Sequence, residues 1–394
     1  MEIGKKITDR TQNAFSKATN ALKGLGLNIE NSQRNLVFFI LLLVIFAILF
    51  FYNLVQSARQ ETVEVSNMRN SLKPINVKIS SFNENNAKYS GNIRDYYVMS
   101  SYNSCCIGRF KDSYVSLDAL RMVMALGVRV LDFEIYTLND APVVAVSAYD
   151  DYHIKSSYNF IPIEDVMRFV GMNAFSSSVP NPNDPLFLHF RLKTNVVTIC
   201  DKLAISIKNN IPSSRLTDIA YGYLSGGENI SSKPVSSFQG KTIIMVSREN
   251  PMWDTPNSKL AEMVNIATSS NFIRSLRNYD VQFAHNVDEL TEYNKKNMTI
   301  SMPDLNSEIV NPSPSIHMSY GVQMVCMSFQ PEGSTIDAKL EAYLNFFNKE
   351  GSAFVLKPEK LRYIPRTIPV PQAQSQELSF SQKTIEKPYF KHVI

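Results

Sequence analysis

His189 and Arg191 stand two residues apart in the apolar run PLFLHFR, so a strand there turns both side chains to one side. An imidazole can move protons near neutrality, and a guanidinium can grip a carboxylate or phosphate through paired N–H donors. Neither has the neighbours that specify a metal or nucleophile site. The five histidines are scattered, with no H-E-x-x-H or similar cluster. His153 falls in a loop-like stretch, and a lone histidine in a strand or loop is more often packed or solvated than catalytic. The four cysteines, Cys105, Cys106, Cys200 and Cys326, lack zinc-ligand spacing, and the adjacent Cys105–Cys106 is not a C-x-x-C pair. These patterns argue against a zinc hydrolase and against a small disulfide scaffold.

Such residues need a folded body to position them. The chain has 394 residues, 44% apolar and 19% charged, enough to bury a sizeable core and too apolar for wholesale disorder. Its 40 Lys+Arg against 36 Asp+Glu leave a net charge of only +4, so no nucleic-acid partner is expected. From Asp95 to about Arg366, short β-branched or apolar runs alternate with helical stretches. The expected strands are YYVMSS, VRVLDFEIY, PVVAVS, PLFLHF, KTIIMVS, VQMVCMSF and SAFVLK. Between them lie helical patterns such as SLDALRMVMALG and DAKLEAYLNFFNK. Strand–helix alternation over this length predicts an α/β fold of (β/α)₈ barrel type.

Ahead of it lies LVFFILLLVIFAILFFYNLV, Leu36 to Val55, with no charge between Arg34 and Arg59. Roughly 20 apolar residues at ~1.5 Å each span a ~30 Å hydrocarbon core. The run is too long and starts too late for a signal-peptide core, and no A-x-A site follows. Residues 1–35 carry six Lys/Arg and three Asp/Glu, against three and two in 57–75. That bias puts the short tail in the cytoplasm and the large C-terminal part on the lumenal or external side. The sequons at Asn229 and Asn297 are consistent with that side. The expected organisation is a tail over 1–35, a transmembrane helix over 36–56 and a linker over 57–94. Barrel halves follow over 95–250 and 257–366, then an extended tail over 367–394.

Two blocks resemble the eukaryotic phosphoinositide-specific phospholipases C. The first is YYVMSSYNSCCIG through SLDALRMVMALGVRVLDFEIY, where the family's X-box has a strand ending S-S-H-N-T and later G-C-R-C-V-E-L-D. Ser100, Ser101, Asn103, Gly127, Arg129, Leu131, Asp132 and Glu134 fall in place. The second is HNVDEL, GVQMVCMSFQ and GSAFVLKPEKLR, which is similar to the Y-box through Gly321, Gln323, Met324, Val325, Phe329, Gln330, Leu356, Lys357 and Pro358. The resemblance covers about residues 95 to 365 and implies a distorted TIM barrel split into X and Y halves. The connection near Arg248 to Pro256 is very short and lacks the long acidic insert of many members.

The resemblance implies cleavage of an inositol phospholipid at the glycerol–phosphate bond by two histidines and calcium. At the first histidine position stands Tyr102, and at the second Val146. At a carboxylate position that serves calcium stands Arg191. Asn103, Asp132 and Glu134 retain oxygens as a remnant calcium site, with the two acids swapped in length. A guanidinium at Arg191 is expected to take the cation's place and pair with Asp132 or Glu134. Of the two lysines that many members use for inositol phosphates, only Arg248 offers a cation, with Val246 at the other position. The family's S-R-x-Y-P segment has no clear counterpart.

The expected function is therefore a membrane-anchored phospholipase C-like protein without catalysis, binding lipid or an unidentified protein as a scaffold. One alternative is an active phosphatidylinositol phospholipase C, a phosphoric diester hydrolase with altered acid–base residues. Another is a structural membrane protein, for example of a large-virus envelope. No cofactor is expected unless the remnant calcium site works.

Overall fold

The computed structural model describes Lys17 and residues 31–83, 85–150, 154–225, 229–255, 257–271, 273–365 and 382–394. The amphipathic stretch expected within the N-terminal tail lies outside these residues apart from Lys17, as does His153.

The first described helix, α1, runs Asn31–Leu72. Its apolar half, from Phe38 to Val55, is exposed throughout and is long and apolar enough to cross a membrane. The helix does not stop where the apolar run stops. Residues 57–72, read from their polarity as linker, continue it, because Val65, Met68 and Leu72 form a 3–4-spaced stripe that packs on the barrel. Polarity of the outward face hid that stripe.

After α1 the chain runs along the underside of the barrel. The Phe82 N–H donates to Asp184 Oδ1 at 2.9 Å, and Ile79 packs against Gly127. Gly127 has φ +89°, and a Cβ there would meet Ile79 Cγ2 at 2.9 Å, so glycine is required on both counts.

The body then builds strand by strand: β1 Tyr96–Ser101, α2 Leu117–Ala125, β2 Val130–Leu138, β3 Ala141–Ala145, β4 Ile161–Pro162, α3 Ile163–Asn173, β5 Leu186–Leu192 and α4 Val197–Asn210. There follow β6 Thr242–Ser247, α5 Lys259–Met263, β7 Ile266–Thr268, β8 Ile273–Arg277, α6 Asn278–Gln282, α7 Val287–Lys296 and β9 Met298–Met302. The barrel ends with α8 Pro314–Ser319, β10 Met324–Met327, α9 Ala338–Glu350 and β11 Phe354–Leu356.

Eight of these strands form one path, β7-β6-β5-β2-β1-β10-β9-β8, and every pair along it is parallel. This is a near-closed (β/α)₈ barrel. Among the described residues no ladder joins β7 to β8. Only residues 269–272 connect them, and a parallel pair needs a crossover of roughly a dozen residues.

Two expected strands turn out to lie outside the ring. PVVAVS (β3) is antiparallel to β2, because Asn139 and Asp140 have φ of +48° and +57° and make a two-residue hairpin turn. SAFVLK (β11) is antiparallel to β1. With five of the seven expected strands in it, the ring is completed by the short β7, β8 and β9, whose sequences IAT, IRSLR and MTISM carry weak strand signals. The C-terminal stretch read as an extended tail contains a hairpin, β12 Thr384–Lys387 with β13 Phe390–Val393. The two strands pair across the two-residue loop Pro388-Tyr389.

Candidate functional site

Strand register assembles the site. Parallel pairing of β2 with β5 sets Asp132 beside His189 and Glu134 beside Arg191. All four side chains share one face, since residues two apart in a strand point the same way. The outward neighbours Leu131, Phe133, Leu188 and Phe190 are fully buried apolar residues, which fixes the register.

Arg191 is the hub. Its Nε donates to Asp132 Oδ1 at 2.9 Å and its Nη2 to Asp132 Oδ2 at 2.7 Å, a bidentate fork. Nη1 donates to Glu134 Oε1 at 2.7 Å, and Nη2 also reaches Asn103 Oδ1 at 2.9 Å. The guanidinium lies 4.6 Å from the Tyr102 ring centroid, a cation–π contact. Arg191 is 1% exposed, so these contacts replace its water.

The surrounding groups complete the pairing. Asn103 follows β1 with φ +43°, a left-handed conformation that asparagine tolerates, and its N–H donates to Asp132 Oδ2 at 3.0 Å. Glu134 Oε2 accepts from the Tyr136 hydroxyl at 2.8 Å and from the Ser147 N–H at 3.0 Å. His189 Nδ1 lies 2.8 Å from Asp132 Oδ1, and Nε2 lies 3.2 Å from Thr268 Oγ1. Both ring nitrogens are thus engaged and the ring is buried, so this histidine holds Asp132 rather than facing a substrate.

Electrostatics follow from the packing. Burial alone would raise the Asp132 carboxyl, but Arg191 and His189 outweigh it and hold it well below the usual carboxylate range. Burial disfavours the Arg191 cation, and Asp132, Tyr102 and Glu134 more than offset this, raising its pKa well above the ordinary arginine value. Burial pushes the Tyr102 phenol up despite the nearby Arg191 and Arg277.

Val146 is buried at the end of β3, its carbonyl accepting from the Ser156 and Ser157 N–H groups at 2.9 and 3.1 Å. Arg248 is not in the cluster. It stands apart, paired with Asp254 at 3.1 Å and lying over the Tyr223 ring. His285 is exposed, while the adjacent Asn286 caps α7 by accepting from the Glu289 N–H at 2.9 Å.

Two cations at the cluster were not anticipated. Arg277, at the end of β8, donates to the Tyr102 hydroxyl at 3.4 Å and to the Pro303 carbonyl at 3.1 Å. Lys193 pairs with Asp150. The signal for Lys193 was present, since His189, Arg191 and Lys193 continue one period-2 face. Arg277 carried none, because its strand was not recognised.

The donor set does not fit calcium. A calcium ion takes roughly six to eight oxygens. Here Asn103 Oδ1, both Asp132 oxygens and Glu134 Oε1 already accept from one guanidinium.

No protein-family model matches the chain, and no curated protein does. Solved structures do. The crystal structure of PLC21 from L. pealei superposes with a TM-score of 0.57 at 19% identity, over 70% of this chain and 38% of that one. PLC21 from S. officinalis gives 0.57 at 18% identity, over 72% and 39%. The barrel is phospholipase C-like. At this identity the likeness is one of fold, and the chain spans about two fifths of the length of those structures. The expected phospholipase C-like TIM barrel is thus the fold observed, and the cluster just described lies among the strands of that barrel.

Proposed function

We propose that the chain is a single-pass membrane protein whose phospholipase C-like barrel binds at a membrane without hydrolysing phosphodiesters. The observation that carries this reading is the Arg191 guanidinium held among Asn103, Asp132 and Glu134. Cleavage of a phosphodiester needs a group that gains and loses a proton near neutral pH and a counter-charge for the phosphate. Tyr102, with its phenol pushed up by burial, and Val146 supply no such proton carrier. Calcium is no cofactor in this reading, and inositol phospholipid or an unidentified protein is the partner. Arg248, partly exposed, is the candidate phosphate contact.

In the same reading the apolar half of α1 is the anchor. The barrel lies opposite the N-terminal tail, on the lumenal or external side, and protease added to sealed vesicles should leave it intact.

The test is direct. The full-length protein in mixed micelles with phosphatidylinositol or its bisphosphate should release no inositol phosphate, with or without calcium. Calcium-dependent release above a Tyr102→Phe control overturns the reading in favour of an active phospholipase C. A rise in melting temperature with inositol phosphates supports lipid binding. No rise makes the barrel a packing module of a structural membrane protein.

A further inference from the structure

The part of α1 beyond the apolar run fixes how the barrel stands on the membrane. Glu64 Oε2 accepts from Ser113 Oγ at 2.5 Å. Gly108 comes so close that a Cβ there would lie 2.6 Å from the same oxygen. Both Gly108 and Ser113 belong to the connection after β1, so Glu64 touches the rim where the parallel strands end. Met68 and Leu72 are buried further down the flank. Ile79 against Gly127 and Phe82 against Asp184 then reach the opposite rim, where β2 and β5 begin. The strand-end rim is therefore the one nearer the apolar segment. From Val55 to Glu64 the helix rises only about 14 Å at ~1.5 Å per residue.

Around that rim the connections carry exposed aromatic and aliphatic side chains. Tyr158 is 57% exposed, and its N–H donates to the Ser113 carbonyl at 2.8 Å, directly beside α1. Tyr279 and Phe283, 65% and 58% exposed, follow β8 as a ring pair 4.9 Å apart. Leu305 follows β9. Exposed apolar residues taken singly are ordinary. These share the one face that α1 turns toward the bilayer, and tyrosine is at home at the headgroup level.

We propose that α1 acts as a strut that holds the strand-end rim of the barrel against the bilayer, with Tyr158, Tyr279, Phe283 and Leu305 in the lipid interface. The partner of this surface is the lipid surface of the same membrane. The inference rests on the membrane anchoring proposed above.

The test uses the full chain in phosphatidylcholine vesicles. All four native cysteines are buried, so a nitroxide can be placed at Tyr158→Cys, Tyr279→Cys or, on the opposite rim, Met172→Cys. Met172 is exposed near Ala174, whose carbonyl accepts from Arg129 just ahead of β2. Flotation after alkaline washing reads the anchor separately. The expected result is flotation of all three proteins, with several-fold higher oxygen-to-nickel accessibility at 158 and 279 than at 172. A flexible Gly/Ser insert between Ser57 and Ala58 should abolish that difference without affecting flotation. Proteins that float with all three labels equally aqueous overturn the rim contact while leaving the anchor standing. Proteins that fail to float remove the anchor, and the inference with it. An insert that leaves the difference intact overturns the strut.

Discussion

Arg191 reaches diagonally from β5 to Asp132 on the neighbouring parallel strand β2, and its one guanidinium grips both carboxylate oxygens at 2.9 and 2.7 Å. The pair is buried, so its worth lies less in net stability than in the penalty for breaking it. Removing one partner strands the other charge away from water.

Arg191→Ala is therefore expected to cost about 3–5 kcal/mol, because it leaves Asp132 and Glu134 close together without a counter-charge. Arg191→Lys should fall between, since an ammonium cannot make the fork. Chemical denaturation of the full chain in detergent measures both. A parent-like Arg191→Ala midpoint would refute the hub role.

Arg191→Glu should be at least as destabilised without metal and should regain part of its stability in millimolar calcium, by mass action on the folded state. The parent should gain none. Melting curves with and without calcium make the comparison, and a calcium-stabilised parent would restore the metal-site reading.

Tyr102→Phe should change stability by less than about 1 kcal/mol. The hydroxyl's contact with Arg277 is long at 3.4 Å, while the ring face over Arg191 is kept. Tyr102→Ala removes that face and the Phe110 edge contact, and should cost about 3–5 kcal/mol.

Lys357 sets a pH dependence. Burial lowers its pKa to about 7, and its Nζ donates to the Asn294 carbonyl at 2.9 Å. In the unfolded chain the value is about 10.4, so the unfolded state binds the extra proton between these limits. Stability should rise with pH across that window by about 1.4 kcal/mol per unit and fall as pH drops toward 7. In Lys357→Met the slope between pH 7.5 and 9.5 should flatten, as read from denaturation midpoints at several pH values. An unchanged slope assigns it to other groups.

Met68→Ala should destabilise the barrel by about 2–5 kcal/mol even though Met68 lies outside the barrel sequence, because its side chain is fully buried against it. A chain starting at Lys73 should melt lower still or aggregate. Equal melting of the truncated and full proteins would make residues 59–72 dispensable.

Much of this was legible in the sequence. Apolar and β-branched runs such as LFLHFRL and VLDFEIY disclosed β5 and β2, and spacing placed Asp132, Glu134, His189 and Arg191 on them. The register that turns four residues into one cluster is a matter of strand pairing, which no single run encodes. Short strands were missed for a physical reason. IRSLR has Arg274 and Arg277 in five residues, and it is held by pairing with β9 rather than by its own propensity. The helical continuation of α1 was hidden likewise, since its buried stripe is read only against the barrel that covers it. Arg248 matched by position, yet its surroundings hold it away from the cluster.

The gap between β7 and β8 sets where the molecule gives way. A closed hoop of strands shares load around its circumference, whereas a hoop with one unstitched seam parts there first. Arg277 sits at that seam, and opening it withdraws the cation that reaches Tyr102. The Asp132–Arg191 pair sits on β2 and β5, which are ladder-bonded to their neighbours on both sides. Amide hydrogens of β7 and β8 should exchange well before those of β2 and β5. The barrel should therefore loosen first along its β7–β8 edge, while buried ion pairs keep β2 and β5 together.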